Sequence, residues 1–100
     1  MERTSTARYD GNMAVTVEFF GIPRERAGRA ELVVSQAGTV SELLDCVRRA
    51  CPQLHDLVKG NGRLARHYLL SLDGREFVTN LSQALPAGSR VLLLSADAGG

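Results

Sequence analysis

The first regular pattern in the chain is an alternation of apolar and polar residues that begins at residue 14. Its apolar positions are Val15, Val17 and Phe19, and its polar positions are Thr16 and Glu18. This is the period of a strand with one buried face. The next segment, GIPRERAG, has glycine and proline among charged residues and predicts a loop. A second apolar run, AELVV, follows, so the two runs predict a wide hairpin.

The segment TVSELLDCVRRACPQL has the pattern of an amphipathic helix. Thr39 followed by Glu42 is a capping box, in which the two side chains satisfy backbone N–H groups of the first turn. Pro52 cannot donate a backbone hydrogen bond and ends this run. The apolar residues recur at helical spacing and form one stripe, which consists of Val40, Leu43, Leu44, Val47, Ala50 and Cys51. We expect the rest of the domain to cover this face.

The second half of the chain predicts three further strands. HYLLSLDGREFV contains two short strands around Asp73 and Gly74, a pair that favours tight hairpin turns with positive φ. TNLSQALPAGSR is an irregular link in which Leu81 and Leu85 point inward and residues 86–88 make a turn. The last run, RVLLLS, has no polar alternation and predicts an interior strand.

The predicted element order, β-β-α-β-β-β, favours an α+β domain of two layers. An apolar last strand belongs at the centre of the sheet, parallel to the first strand and beside it. This is the β-grasp (ubiquitin-like) arrangement, a mixed sheet of about five strands with one main helix packed on one face. The alternative is a ferredoxin-like split βαβ fold. It needs a second amphipathic helix near residues 79–86, where TNLSQALP is too short and contains too many helix breakers.

This arrangement has a consequence for the end of the chain, SADAGG. It leaves the sheet at the same edge as the GIPRERAG segment. Phe19, Phe20 and residues 91–94 supply apolar side chains to both faces of the sheet, and the helix covers one face only. An exposed apolar patch beside a tail predicts a docking surface for a partner. The alternative is that loops cover these side chains.

Composition limits both the domain count and the kinds of partner. The 100 residues are 44% hydrophobic, which suits one compact domain. We expect this domain over residues 13–95, between a flexible leader at 1–12 and a flexible tail at 96–100. The 12 basic and 11 acidic residues are scattered and give a net charge of +1, so neither a nucleic acid nor a membrane surface is expected as a partner. The sequence shows no transmembrane span and no secretory signal, which predicts a cytoplasmic protein.

No group of residues in the sequence predicts catalysis or a metal site. Cys46 and Cys51 match neither a redox pair nor a zinc site, and we expect two reduced thiols with Cys51 in the core. His55 and His67 lie in different segments without Glu or Cys at ligand spacing. Motifs of nucleophile elbows, zinc proteases and phosphate-binding loops do not occur. The sequence therefore offers no catalytic constellation of its own.

Five segments of the chain resemble the ubiquitin-like sulfur-carrier family, which includes the small subunit of molybdopterin synthase, the thiamine sulfur carrier and the carrier that serves a cysteine synthase. They are VEFFGIPRERAG, TVSELLDCV, LSLDGREF, LPAGSRVLLL and the terminal AGG, and together they span residues 13–100. PRERAG is most similar to the molybdopterin synthase subunit, whereas GRLARHYLLSLDGREF is also similar to the cysteine-synthase carrier. Two features depart from the family pattern: Ser89 replaces a common Asp, and SADAGG lacks prolines before the glycines.

The resemblance implies that Gly100 is the functional residue. A ubiquitin-activating-type adenylyltransferase would use ATP to convert the Gly100 carboxylate into an acyl-adenylate, and a persulfide sulfur donor would then give a thiocarboxylate. Gly99 and Ala98 would give the tail access to a narrow channel, where a Cβ on either glycine clashes. The resemblance implies no bound cofactor, because ATP is used by the partner. The residues expected to dock the partner are Phe20, Arg24, Leu92 and Leu94.

The resemblance predicts a non-catalytic carrier, most similar to a small synthase subunit that supplies sulfur for molybdopterin to a large subunit. A carrier for cysteine or thiamine biosynthesis is an alternative within the family. A ubiquitin-like modifier joined to protein amines is an alternative of another class, for which long chains on itself are not expected because Lys59 is the only lysine. A structural β-grasp module with an incidental tail is the third.

Overall fold

The computed structural model describes residues 14–35 and 37–96. The expected leader at 1–12 and the tail from residue 97 onward lie outside the described residues. The elements in chain order are β1 (Ala14–Phe19), α1 (Ile22–Ala27), β2 (Glu31–Ser35), α2 (Val40–Ala50), a 3₁₀ turn (Pro52–Leu54), β3 (Tyr68–Leu72), β4 (Glu76–Phe77) and β5 (Arg90–Ser95).

The strands form one mixed sheet in the order β2-β1-β5-β3-β4. β5 lies at the centre and runs parallel to β1, with Phe19 opposite Leu93, while all other neighbouring strands are antiparallel. The apolar character of β5 on both faces therefore predicted its position correctly. The β-grasp fold is confirmed.

Helix α2 begins at the predicted cap. The Glu42 N–H donates to Thr39 Oγ1 at 3.2 Å, and the Glu42 carboxylate accepts from the Gly38 N–H at 2.7 Å. The carboxylate thus satisfies a donor one residue before the cap. The buried face contains Val40, Leu43, Leu44 and Val47.

The expected burial of Ala50 is wrong. Cys51 completes the buried stripe of α2 at 3% exposure, whereas Ala50 is exposed. A helix turns by about 100° per residue, which places Ala50 about 80° from Val40 at the edge of the stripe. Cys46 and Cys51 are free thiols, and burial raises the pKa of the Cys51 thiol, while Arg29 acts in the opposite direction.

The prediction of a loop at GIPRERAG is wrong, because Ile22–Ala27 is helix α1. Pro23 lies in the first turn, where a missing N–H costs nothing. Gly28 ends the helix in the left-handed region at φ 73°, and its N–H donates to the Arg24 carbonyl at 3.0 Å. Pro23 and Gly28, which indicated a loop, are in fact the signals that begin and end a short helix.

The β3–β4 hairpin turns at the predicted pair. Asp73 and Gly74 have φ values of 55° and 71°, as the tight turn requires. The Asp73 carboxylate also accepts from the Arg90 N–H at 2.9 Å, which ties the turn to the start of β5. Leu81 and Leu85 in the following link are buried as predicted.

The core lies between α2 and one face of the sheet. β1 contributes Val15, Val17 and Phe19, and β5 contributes Val91 and Leu93, all of them at most 1% exposed. Because strand residues alternate between faces, the residues between them lie on the other face. That second face carries the candidate site.

Candidate functional site

The ends of β1 and β5 meet at one edge of the sheet, which we call the exit edge; the start of β3 completes it. The Phe20 N–H donates to the Leu93 carbonyl at 3.0 Å. Ala96, assigned to the tail from the sequence, is held by a hydrogen bond from its N–H to the His67 carbonyl at 2.8 Å. The predicted functional residues Ala98, Gly99 and Gly100 follow from this point and lie outside the described residues.

The face of the sheet opposite α2, which we call the open face, is apolar near the exit edge. Leu94 lies opposite Leu69 across the β5–β3 ladder, and the Phe19–Leu93 register places Phe20 beside Leu94. The exposed fractions are 41% for Phe20 and 36% for Leu69. A second cross-strand row joins Leu92, Ser71 and Phe77, of which Phe77 is 67% exposed. This apolar half of the open face is an exposed apolar surface of the kind that binds proteins.

Three of the four predicted docking residues are thus brought together. Phe20, Leu92 and Leu94 lie on the open face, although Leu92 and Leu94 are half-buried. Arg24 is exposed on α1, which packs against β1 and β5 and so places Arg24 at the exit edge. Their role in docking remains a prediction.

The half of the open face toward β2 is charged. The Arg90 guanidinium forms an ion pair with the Glu18 carboxylate and lies 4.0 Å from the Glu31 carboxylate. Glu18 is opposite Glu31 on β2 and opposite Leu92 on β5. Since two carboxylates share one guanidinium, this half has residual negative charge.

A polar cluster at the exit edge joins α1, the turn after the 3₁₀ segment and β3. The Asp56 carboxylate accepts from the Tyr68 hydroxyl at 2.8 Å and from Arg26 Nη1 at 3.0 Å, and it lies 3.0 Å from His67 Nε2. Arg26 Nη1 also donates to the Tyr68 hydroxyl oxygen at 2.6 Å. Because the Ala96 N–H is bonded to the His67 carbonyl, the cluster stands beside the point where the chain leaves the sheet.

The electrostatics of the cluster favour an ionised Asp56. Burial by itself raises the pKa of Asp56, but the hydrogen bonds from Tyr68, His67 and Arg26 outweigh it and hold the pKa below its ordinary value. Burial, and then the adjacent Asp56 carboxylate, raise the pKa of the Tyr68 hydroxyl. The described hydrogen-bond partners of the Asp56 carboxylate all belong to the fold itself. This is typical of a carboxylate that holds elements together, which we call a structural clamp.

Sequence reasoning missed this cluster. Arg26, Asp56 and the His67–Tyr68 pair come from three separate segments, and none of the three has a recognisable motif. Leu69 and Phe77 on the open face were also missed, although the alternation of the β3–β4 hairpin was available to find them.

The described residues do not form a metal site. Within residues 14–35 and 37–96, no group of three or more His, Cys, Asp or Glu side chains can hold a metal ion. Nor does any helix of the described part have the length and apolar character needed to cross a membrane. The predicted cytoplasmic location stays a prediction.

No protein-family model matches the chain, and no curated protein matches its sequence. Similar solved structures do exist. SAMP1 from Haloferax volcanii is 28% identical over 87% of this chain and 99% of its own, with a TM-score of 0.75. A chain of the BexX/CysO complex from Amycolatopsis orientalis is 24% identical over 86% of this chain and 99% of its own, with a TM-score of 0.71.

A third similar chain comes from the complex of subunits 1 and 2 of molybdopterin-converting factor from Helicobacter pylori 26695. It is 22% identical over 88% of this chain and 100% of its own, with a TM-score of 0.60. At this level of identity, the last two structures support the fold alone. These neighbours share the ubiquitin-like β-grasp fold and belong to the sulfur-carrier and modifier proteins that the sequence resembles, so the resemblance recognised from the sequence is confirmed.

Proposed function

We propose that this protein is a sulfur carrier whose C-terminal Gly100 carries the sulfur as a thiocarboxylate. The observation that supports the proposal best is the parallel pairing of β1 with β5, because it brings the end of β5 to the same edge as Phe20 and the apolar half of the open face. A partner that covers Phe20 and Leu94 therefore lies beside the point from which the C-terminal residues continue.

Two partner proteins, an adenylyltransferase and a persulfide donor, carry out the proposed loading reaction. A ubiquitin-activating-type adenylyltransferase lets the Gly100 carboxylate attack the α-phosphate of ATP, which releases pyrophosphate and leaves an acyl-adenylate. The terminal sulfur of a persulfide donor then attacks the acyl carbon and displaces AMP. A second thiol cleaves the S–S bond of this acyl disulfide, which leaves the thiocarboxylate on Gly100 and an oxidised disulfide on the donor.

For the acceptor, we propose the large subunit of a molybdopterin synthase, with this chain as the small subunit. The PRERAG similarity in α1 supports this pathway, as does the fold neighbour that was solved with a second converting-factor subunit. A carrier for cysteine or thiamine biosynthesis uses the same loading chemistry. The acceptor that receives sulfur from the loaded protein separates these pathways.

A ubiquitin-like protein modifier is the second candidate. The similarity to SAMP1, at 28% identity, favours it, because a second structure of this Haloferax volcanii protein describes it as a small archaeal modifier protein. In this case the activated Gly100 would form an amide with a lysine of another protein. The two candidates share the adenylate and differ in the group that attacks it.

The deciding experiment is intact-mass spectrometry of the protein purified from its native host. We expect a species heavier by the difference between one sulfur and one oxygen atom, which disappears when Gly99 and Gly100 are deleted. Gly99→Ala is the matched variant: it keeps a terminal carboxylate but adds one Cβ in the tail, and we expect it to remain unloaded.

An unmodified mass in cells that contain the activating enzyme would refute the carrier function. Larger species that contain this chain, and disappear in the same deletion, would establish the modifier function. If neither species forms, the protein is the structural β-grasp module with an incidental tail.

A further inference from the structure

A cleft opens where β3 extends beyond its edge neighbour. β4 pairs only with Ser71 and Leu72, the last two residues of β3. The first residues of β3 therefore border a cleft, with residues 63–66 on one side and residues 77–79 on the other.

The lining of this cleft is apolar with a positively charged rim. Leu69 and Phe77 contribute exposed apolar side chains, whereas Arg63 and Arg66 contribute the charge, and none of the lining residues is acidic. Neither guanidinium has an ion pair or side-chain hydrogen bond within the described part of the chain. Two exposed cations next to an apolar surface favour a ligand with apolar and acidic groups.

The cleft is continuous with the apolar half of the open face. Leu69 belongs to both surfaces, and Leu94 lies opposite Leu69 on the open face. Phe77 also belongs to both, because the β3–β4 register places it beside Ser71. A protein that covers Phe20 and Leu94 therefore reaches the mouth of the cleft.

We propose that the cleft binds an extended segment of the partner protein in which acidic and apolar side chains alternate. In an extended segment successive side chains point to opposite sides, so apolar groups contact Leu69 and Phe77 while carboxylates approach Arg63 and Arg66. The assignment of this segment to the docking partner rests on the proposed function. The binding preference of the cleft does not.

The test is NMR titration of the isotope-labelled full chain with two capped pentapeptides, DLELD and KLKLK. We expect DLELD to shift the amide signals of Leu69, Phe77 and Thr79 and to bind weakly, while KLKLK causes no shift there. Replacement of both arginines, Arg63→Ala with Arg66→Ala, removes two exposed charge contacts, and we expect it to weaken DLELD binding about fivefold. Arg29→Ala is the matched control, because Arg29 is exposed and does not line the cleft.

Four results would overturn the proposal. The first is no shift with DLELD, the second is equal binding of DLELD and KLKLK, and the third is an unchanged affinity for DLELD in the double variant. The fourth is at least about fivefold tighter binding to a chain that ends at Ala96, because it would make residues 97–100 of this chain the occupant. None of these results concerns sulfur loading, so failure here leaves the mass measurement unaffected.

Discussion

Asp56 illustrates how single residues fix the exit edge. Its carboxylate connects Arg26 of α1, His67 before β3 and Tyr68 at the start of β3. Tyr68 is only 2% exposed, so its hydroxyl requires partners inside the protein. Sequence patterns predict which positions are apolar, but they contain no signal for contacts between side chains far apart in the chain. This explains why the Thr39 cap was predicted and the Asp56 cluster was not.

We expect Asp56→Asn to lower the free energy of unfolding by about 1–2 kcal/mol at neutral pH, because the hydrogen bonds to an ionised carboxylate are weakened. Since the pKa of Asp56 is lower in the folded state, its contribution is present above the unfolded-state pKa and is lost as the pH falls through the folded-state pKa. The difference between variant and parent should therefore shrink in acid. Urea denaturation at neutral and at acidic pH measures both effects.

Asp45→Asn is the control for this substitution. Asp45 forms an exposed ion pair with Arg48 one turn along α2, and such pairs contribute less than about 0.5 kcal/mol. Equal losses for the two variants, or a loss in Asp56→Asn that does not change with pH, would contradict the proposed clamp.

At the scale of elements, α1 is the part of the fold that the sequence did not predict. Its six residues contain a proline and are enclosed by glycines, and a pattern this short has no room for helical periodicity. α2 is long enough to display both its cap and its apolar stripe. The strands were predicted because their alternation or apolar character directly reflects which faces are buried.

We expect Gly28→Ala to destabilise the protein by about 1 kcal/mol, because a Cβ is unfavourable in the left-handed conformation that ends α1. There is open space around Gly28, so backbone strain and not a clash is the cause. Thermal or urea unfolding of the variant tests this expectation.

Gly60→Ala provides the matched comparison. It too adds a methyl group in open space, but its backbone φ lies outside the left-handed region. We expect a change within about 0.5 kcal/mol or a small gain in stability, since alanine restricts the unfolded chain. Equal destabilisation of both variants would mean that the φ of Gly28 is not the cause.

At the scale of the whole molecule, the sheet presents two unequal halves on its open face. Phe20 and Leu69 form the apolar half at the exit edge, and Glu18, Glu31 and Arg90 form the charged half. The sequence predicted that this face is uncovered and that the tail leaves beside it. It did not predict that β3 and β4 contribute to the apolar half of this face, because the register between β5 and β3 depends on the assembled sheet.

We expect Phe20→Asp to weaken binding of the activating enzyme by at least about tenfold, because an exposed aromatic at the centre of an apolar contact contributes strongly. Phe20 is 41% exposed, so the variant should fold. The affinity for the adenylyltransferase and the yield of loaded protein are the two measurements.

Val33→Asp tests whether position on the open face matters. Val33 lies on β2 opposite Thr16, on the charged side of the open face, and is 59% exposed. We expect its affinity for the activating enzyme to change by no more than about twofold. Comparable losses for both variants would show that the partner does not select the apolar half.

The parallel β1–β5 pairing also determines when the molecule can form. It joins residues near the beginning of the described chain to residues near its end, with Thr16 opposite Arg90 and Phe19 opposite Leu93. Pairing between strands so distant in sequence requires the closure of a long loop, which slows folding. Until β5 joins the sheet, Val15, Val17 and Phe19 lack the central strand beside which they are buried, and an intermediate without β5 exposes apolar surface that favours aggregation. We therefore expect the pairing of β1 with β5 to limit the folding rate of this domain.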